Sequence, residues 1–210
     1  MKGNTIKAIP GPPIPRGTTA YHIDTGFRYH TVIPEGTRVA VTEKLHGASA
    51  RFLFHNDTFY VGTHNQWHIE GDNIWWEAAT KHPNIETFCR KHPDWILYGE
   101  VYGKVQTLRY GTTLENPIRF AAFDIFNINE FLGVEAKRNY MYEYGIPEVP
   151  LVKYTKYDFA EITELVSGPS LVNGANHLRE GIVVTPFTEM YDKKVGRVIL
   201  KFVSPEYLEL

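Results

Sequence analysis

The sequence predicts a mixed α+β fold built as one domain, and three observations carry that expectation. Residues 37–62 and 95–126 hold short runs rich in β-branched and aromatic residues, several with a two-residue alternation. From Asp72 to about Lys91 the apolar spacing lengthens to that of helices. A chain of 210 residues, 43% hydrophobic and 14% aromatic, is long enough for one well-buried core, and it shows no internal repeat, low-complexity stretch or convincing linker.

Taken in order, about residues 1–20 form an extended arm, because Ile9-Pro10-Gly11-Pro12-Pro13-Ile14-Pro15-Arg16 suits neither helix nor central strand. Residues 37–62 predict a meander in which Arg38, Ala40 and Thr42 alternate with Val39 and Val41, with a turn at Asn56-Asp57. Asp72 is placed to cap a helix over 73–81 and Asn84 a second over 85–91, each ending near a proline, Pro83 and Pro93. Trp75, Trp76 and Phe88 read as core anchors rather than base-stacking platforms. Residues 95–103 form an apolar strand interrupted by Glu100, a carboxylate that needs a partner there. A polar loop at 104–116 leads to a strand at 118–126. Residues 134–143 suit a helix closed by Gly145 and Pro147, and Asp158 with Glu161 opens a helix ending at Gly168. The last strands are 179–184, which opens on Glu180, and 197–202, which carries Lys201.

Composition narrows the function classes. A net charge of -2 excludes a broadly basic nucleic-acid binder, so any contact with nucleic acid is local. The basic points Lys104 with Arg109, Arg90 with Lys91, and Lys193, Lys194 and Arg197 read as ordinary mixed-charge surface. One cysteine, Cys89, allows no internal disulfide and no Cys-rich metal site, which suits a reducing compartment. No apolar run approaches the roughly 20 residues of a membrane span, and the N-terminus lacks a signal-peptide core, so a soluble, cytoplasmic protein without membrane contact is expected.

The chemistry centres on Lys44. It stands between a strand-like run and the turn at Gly47, where its amine is presented at a strand end. A lysine becomes a nucleophile only where burial or neighbouring cations favour its neutral form, so other segments must supply that environment. Alone, Lys44-Leu45-His46-Gly47 is better explained by a solvated strand-end lysine. Downstream, in order, come Tyr98-Gly99-Glu100, Phe123-Asp124-Ile125, Glu180-Gly181-Ile182-Val183-Val184 and Leu200-Lys201-Phe202. Five ordered short motifs, spanning residues 37–204, resemble the series of the covalent nucleotidyltransferases, the ATP-dependent ligases and mRNA capping guanylyltransferases. His46, where many members carry aspartate, and the run Gly99-Glu100-Val101-Tyr102-Gly103-Lys104-Val105-Gln106 are similar to the type 2 RNA ligase branch.

The resemblance implies an ATP-grasp-like nucleotidyltransferase domain, two mainly antiparallel β-sheets flanked by helices around a nucleotide cleft. It implies an ATP-dependent RNA ligase that joins 5′-phosphate and 3′-hydroxyl RNA ends through a lysyl-AMP and an RNA-adenylate. Lys44 would be the nucleophile. Glu100 would bind the ribose hydroxyls, Phe123 would stack on adenine, Glu180 would hold Mg²⁺ or Mn²⁺, and Lys201 would contact the α-phosphate. Glu43, Leu45 and His46 would complete the nucleotide site, with Glu43 orienting the base or the metal. Two positions depart from the family pattern: Val203 replaces a usual lysine, and His64 stands where an arginine is common, as a candidate phosphate contact. Nine residues after Lys201 and about 40 before Lys44 leave no accessory OB-fold or C-terminal domain, so RNA affinity is expected to draw on a protein partner. Two alternatives stay open: a DNA or hybrid-nick ligase or guanylyltransferase, and a non-catalytic module that binds nucleotides or RNA ends.

Overall fold

The structure is a computed structural model, and it describes residues 8–11 and 21–209. Its strands are β1 (Ala8–Ile9), β2 (Asp24–Thr25), β3 (Arg38–Lys44), β4 (Gly47–His55), β5 (Thr58–Gly62), β6 (Trp67–His68), β7 (Ile96–Gly103), β8 (Ile118–Phe126), β9 (Leu151–Lys156), β10 (Gly181–Pro186), β11 (Tyr191–Asp192), β12 (Gly196–Arg197) and β13 (Leu200–Val203). The helices are α1 (Gly26–Tyr29), α2 (Ile74–Lys81), α3 (Pro83–Lys91), α4 (Val134–Glu143), α5 (Phe159–Glu164) and α6 (Pro205–Leu208). Six strands form the first sheet in the order β1-β6-β5-β4-β7-β8, and five form the second in the order β2-β13-β10-β3-β9. All pairs are antiparallel except β13 with β2, while β11 and β12 make a separate ribbon. This is the expected α+β architecture of two mainly antiparallel sheets.

Each sheet buries its outer face. The first packs Phe52, Leu97, Phe120 and Ile125 against Ile85 and Phe88 of α3 and Met141 of α4. The second packs Val39, Val41, Ile182, Val184, Leu200 and Phe202 against Ile162 of α5 and Tyr157. Each such side chain stabilises by roughly 1.5–3 kcal/mol relative to exposure, so the two cores hold the facing surfaces in place. The predicted meander is present, and at its turn Asn56 and Asp57 both have positive φ, 46° and 58°, the backbone that matches the twist of a tight hairpin.

Several boundaries differ from expectation. Asn73, not Asp72, caps α2 by accepting from the Trp76 N–H at 3.0 Å. α3 starts at Pro83 without a side-chain cap, and the Asn84 amide instead donates to the Gly145 carbonyl. α5 begins as expected with Asp158 accepting from the Glu161 N–H at 2.9 Å, but it stops at Glu164 rather than at Gly168. Beyond that end, the Arg179 guanidinium donates to the carbonyls of Leu165, Val166, Ser167 and Pro169 and so satisfies groups that have no helical partner. The strand predicted over 197–202 divides, because Arg197 pairs with Tyr191 in the ribbon and only Leu200–Val203 joins the second sheet. Most of the predicted arm lies outside the described residues; within them, Ala8 and Ile9 pair with His68 and Trp67. Among the described residues, no helix is long and apolar enough to cross a membrane.

Candidate active site

β3 belongs to the second sheet and β4 to the first, so the chain crosses between the sheets over Leu45 and His46. Lys44 is the last residue before that crossing. Along β3 the side chains of Val39 and Val41 enter the second core, whereas Ala40, Thr42 and Lys44 line a cleft of about 340 Å³ between the sheets. The strand's alternation thus fixes which way the amine points.

Lys44 pairs with Gly181 across β10, which brings Glu180 alongside. Lys44 Nζ lies 2.7 Å from Glu180 Oε1, with the two side chains 24% and 12% exposed. The other oxygen of Glu180 is 3.6 Å from His46 Nδ1. His46 is held from two sides: its N–H donates to the Tyr110 hydroxyl at 2.7 Å, and Nδ1 is hydrogen-bonded to the Tyr207 hydroxyl. Burial lowers the basicity of this imidazole; Glu180 opposes the shift and Lys44 adds to it. Two glycines permit the close approach. A Cβ on Gly181 would sit 2.0 Å from the Phe202 carbonyl oxygen, and one on Gly47 would sit 2.2 Å from that of Val101.

The remaining expected residues come from both walls. Lys201 is in register with Val183, which is in register with Thr42, so all three side chains share the cleft face of the second sheet. Lys201 forms no ion pair among the described residues. Glu100 faces it from the first sheet, between Ser49 of β4 and Ala121 of β8. Burial pushes the Glu100 carboxyl up to about 8; Lys44 counters the shift, Glu180 reinforces it, and the backbone N–H of Gly47 counters it by hydrogen bonding. Phe123 sits in a β-bulge: Ala122 pairs with Gly99 and Asp124 with Tyr98, which leaves Phe123 without a partner and turned into the cleft, its ring 5.0 Å from that of Tyr21. His64 lines the cleft's end, with Nδ1 3.1 Å from Ser49 Oγ.

Leu45 is 4% exposed and packs with Tyr102, Leu108 and Tyr110 while touching the cleft. Glu43 also lines the cleft. Its carboxylate, 1% exposed, accepts from Ser170 Oγ and from the Leu171 N–H, both at 2.6 Å, so it secures the loop before β10. Sequence reading gave no role to Tyr110 or Tyr207, and nothing in their local sequence marks them. It also passed over Asp124, which is fully buried and meets Arg197 Nη1 at 2.7 Å, Lys137 Nζ at 3.2 Å and the Tyr21 hydroxyl. Like Glu100, Asp124 is a carboxylate in an apolar strand, and that setting is the signal that it needs a partner.

The donor set suits a hard divalent cation held jointly with a substrate. Among the described residues no three His, Cys, Asp or Glu side chains converge. Glu180 stands beside the lysine, and Glu43, Glu100 and Glu148 line the cleft itself; magnesium-type ions are commonly held by one or two carboxylates with phosphate oxygens and water completing the shell.

Two facing sheets with a carboxylate-paired lysine at their crossing, a second lysine, a buried carboxyl and an aromatic ring around one cleft define the nucleotidyltransferase fold class. Within it, residues 37–203 match the RNA ligase family, and the chain belongs to that family. Solved structures of an RNA ligase from Naegleria gruberi are similar. A point mutant in its apo form superimposes with TM-score 0.77 at 22% identity, covering 95% of this chain and 62% of that one. The form with PPi gives 0.75 at 23%, covering 95% and 63%. A mutant with ATP and Mn gives 0.69 at 23%, covering 83% and 52%. This chain therefore spans between about half and two thirds of those proteins, and at such identity the likeness concerns the fold. No curated protein matches the chain.

Proposed function

We propose that this chain is the catalytic domain of an ATP-dependent RNA ligase, with Lys44 as the residue that carries AMP. The observation that supports this most is the Lys44–Glu180 pair, 2.7 Å apart, with Lys44 lining the cleft, in a chain of the RNA ligase family. In the first transfer Lys44 Nζ, having given up a proton, attacks the α-phosphorus of ATP. An N–P bond forms, the bond from that phosphorus to the bridging oxygen breaks, and pyrophosphate leaves with the electron pair. Glu180 is the nearest carboxylate to receive the proton. Lys201 faces the reacting phosphate and offsets the charge that develops on it. Phe123 stacks on adenine, Glu100 hydrogen-bonds the ribose hydroxyls, and His64 reaches phosphate at the far end. His46 acts through Glu180, which it steadies from its second oxygen. Glu180 would hold Mg²⁺ or Mn²⁺, which would supply neutralisation of phosphate charge.

In the second transfer a 5′-phosphate oxygen of RNA attacks the same phosphorus and Lys44 leaves. In the third, a 3′-hydroxyl attacks the 5′-phosphorus of the RNA-adenylate, sealing the strand and expelling AMP. All three displacements use one set of cations, so one cleft suffices. With a net charge of -2 the chain grips RNA weakly at physiological salt, and a protein partner in the cytoplasm supplies further affinity.

The test is sealing of matched RNA and DNA nicks with labelled ATP or GTP. Sealing of the RNA nick with ATP is expected. Equal sealing of the DNA nick would make the chain a general polynucleotide ligase, and labelling from GTP alone would make it a guanylyltransferase.

A further inference from the structure

Beside the cleft lies a second concavity that the adenylation chemistry does not use. It is an open groove of about 570 Å³ at the end of β4 and β5, bounded by the turn before β6 and the start of α2. Ser49 and His64 line both spaces, so their 3.1 Å hydrogen bond is the partition between groove and cleft.

The lining has an unusual chemistry for a surface groove. It contains no Asp, Glu, Lys or Arg. Asn65, Gln66 and Gln106 present side-chain amides, all on exposed residues. His68 and Trp75 form its inner wall, their rings stacked at 4.4 Å with 29° between planes. Trp75 is anchored by donating its indole N–H to the Ser49 carbonyl at 2.9 Å, and Trp76 donates to the carbonyl of His68 at 3.0 Å. His68 itself is 3% exposed, yet neither of its ring nitrogens has a hydrogen-bond partner. A buried imidazole whose nitrogens are unmet destabilises the fold, whereas a phenylalanine would make the same stack without that cost. A polar ring kept there at a loss to stability indicates a ligand that can meet it.

Amide and imidazole donors and acceptors beside stacked rings, with no fixed charge, suit an uncharged polar heterocycle rather than a phosphate. We propose that this groove binds the base of the unpaired end nucleotide of an RNA strand, holding that end beside the cleft. The proposal rests on the RNA ligase reading. It assigns the groove an end-positioning role, since Ser49 and His64 put it one side chain away from the site of transfer.

The test is the Kd of a short, unphosphorylated, single-stranded RNA, with and without a terminal abasic residue, for the full chain and for His68→Phe and Gln66→Ala. His68→Phe keeps the stack on Trp75, and Gln66→Ala alters an exposed side chain. The wild type is expected to bind the intact RNA about 10-fold more tightly than the abasic one. Both variants should lose that preference while still forming lysyl-AMP at the wild-type rate. A wild type indifferent to the terminal base, or variants that keep the full preference, would overturn the proposal. The binding comparison needs no catalysis, so failure of the wild type to take up AMP sinks the ligase reading separately.

Discussion

Lys44 Nζ and Glu180 Oε1 are 2.7 Å apart, although Lys44 ends β3 and Glu180 immediately precedes β10, and neither is exposed by more than a quarter. The pairing of Lys44 with Gly181 sets the register, and the Gly181 backbone leaves no room for a side chain. The contact places a carboxylate directly beside the amine.

Removing that carboxylate should therefore damage the chemistry more than the fold. Glu180→Gln keeps the volume and loses the charge. Lysyl-AMP formation in single turnover is expected to fall by about 10²-fold, with the far-ultraviolet circular dichroism unchanged. A rate within twofold of wild type would remove Glu180 from the mechanism.

Glu100 makes stability depend on pH. Its carboxyl is raised from 4.5 to about 8 in the folded chain, so between those values the folded state holds a proton that the unfolded state has released. The contribution is present in full below about pH 4.5 and is lost as pH rises towards 8, with a slope no steeper than about 1.4 kcal/mol per pH unit for one proton. Denaturant unfolding of wild type and Glu100→Gln across pH 5–8 checks this: the variant should gain on the wild type as pH rises. Parallel curves would contradict it.

Much of this was legible in the sequence, and what was not has identifiable causes. The strand runs and α4 were readable because alternation and helical spacing are local, as was the hairpin turn at Asn56-Asp57. Lys44, Glu100, Phe123, Glu180 and Lys201 stood out because each lies in a short motif, and all five lie in or beside one cleft. The carbonyls just past α5 are met by Arg179, fifteen residues beyond Glu164, and the supports of His46 come from Tyr110 and Tyr207, both distant in sequence. Such long-range hydrogen bonds leave no periodic trace. The bulge that turns Phe123 inward is likewise a matter of pairing, not composition.

Phe123 is expected to govern nucleotide affinity rather than the intrinsic rate of transfer. Phe123→Ala should raise the KM for ATP by roughly 10-fold or more, as loss of one base-stacking ring does, while Phe123→Tyr should retain near-normal binding. A fall in kcat with KM unchanged would argue that the ring serves only to pack on Tyr21.

Asp124 ties the first sheet to the ribbon through Arg197 and to α4 through Lys137, and Arg197 is also held by both oxygens of Glu189 at 2.7 Å. Burial pushes the Asp124 carboxyl up, but Arg197 and Lys137 outweigh it and hold the group below its ordinary value. Asp124→Ala would leave two cations without their shared partner, and a loss of about 3–5 kcal/mol in denaturant unfolding is expected. A change below about 1 kcal/mol would show that this cluster contributes little to the stability of the fold.

The most direct measurement is the intact mass of the protein after incubation with Mg²⁺ and ATP. Wild type should gain the mass of one AMP, mapped by peptide sequencing to Lys44, and Lys44→Ala should gain none. Absence of any gain in the wild type, or an equal gain after Lys44→Ala, would contradict the assignment of this amine as the nucleophile.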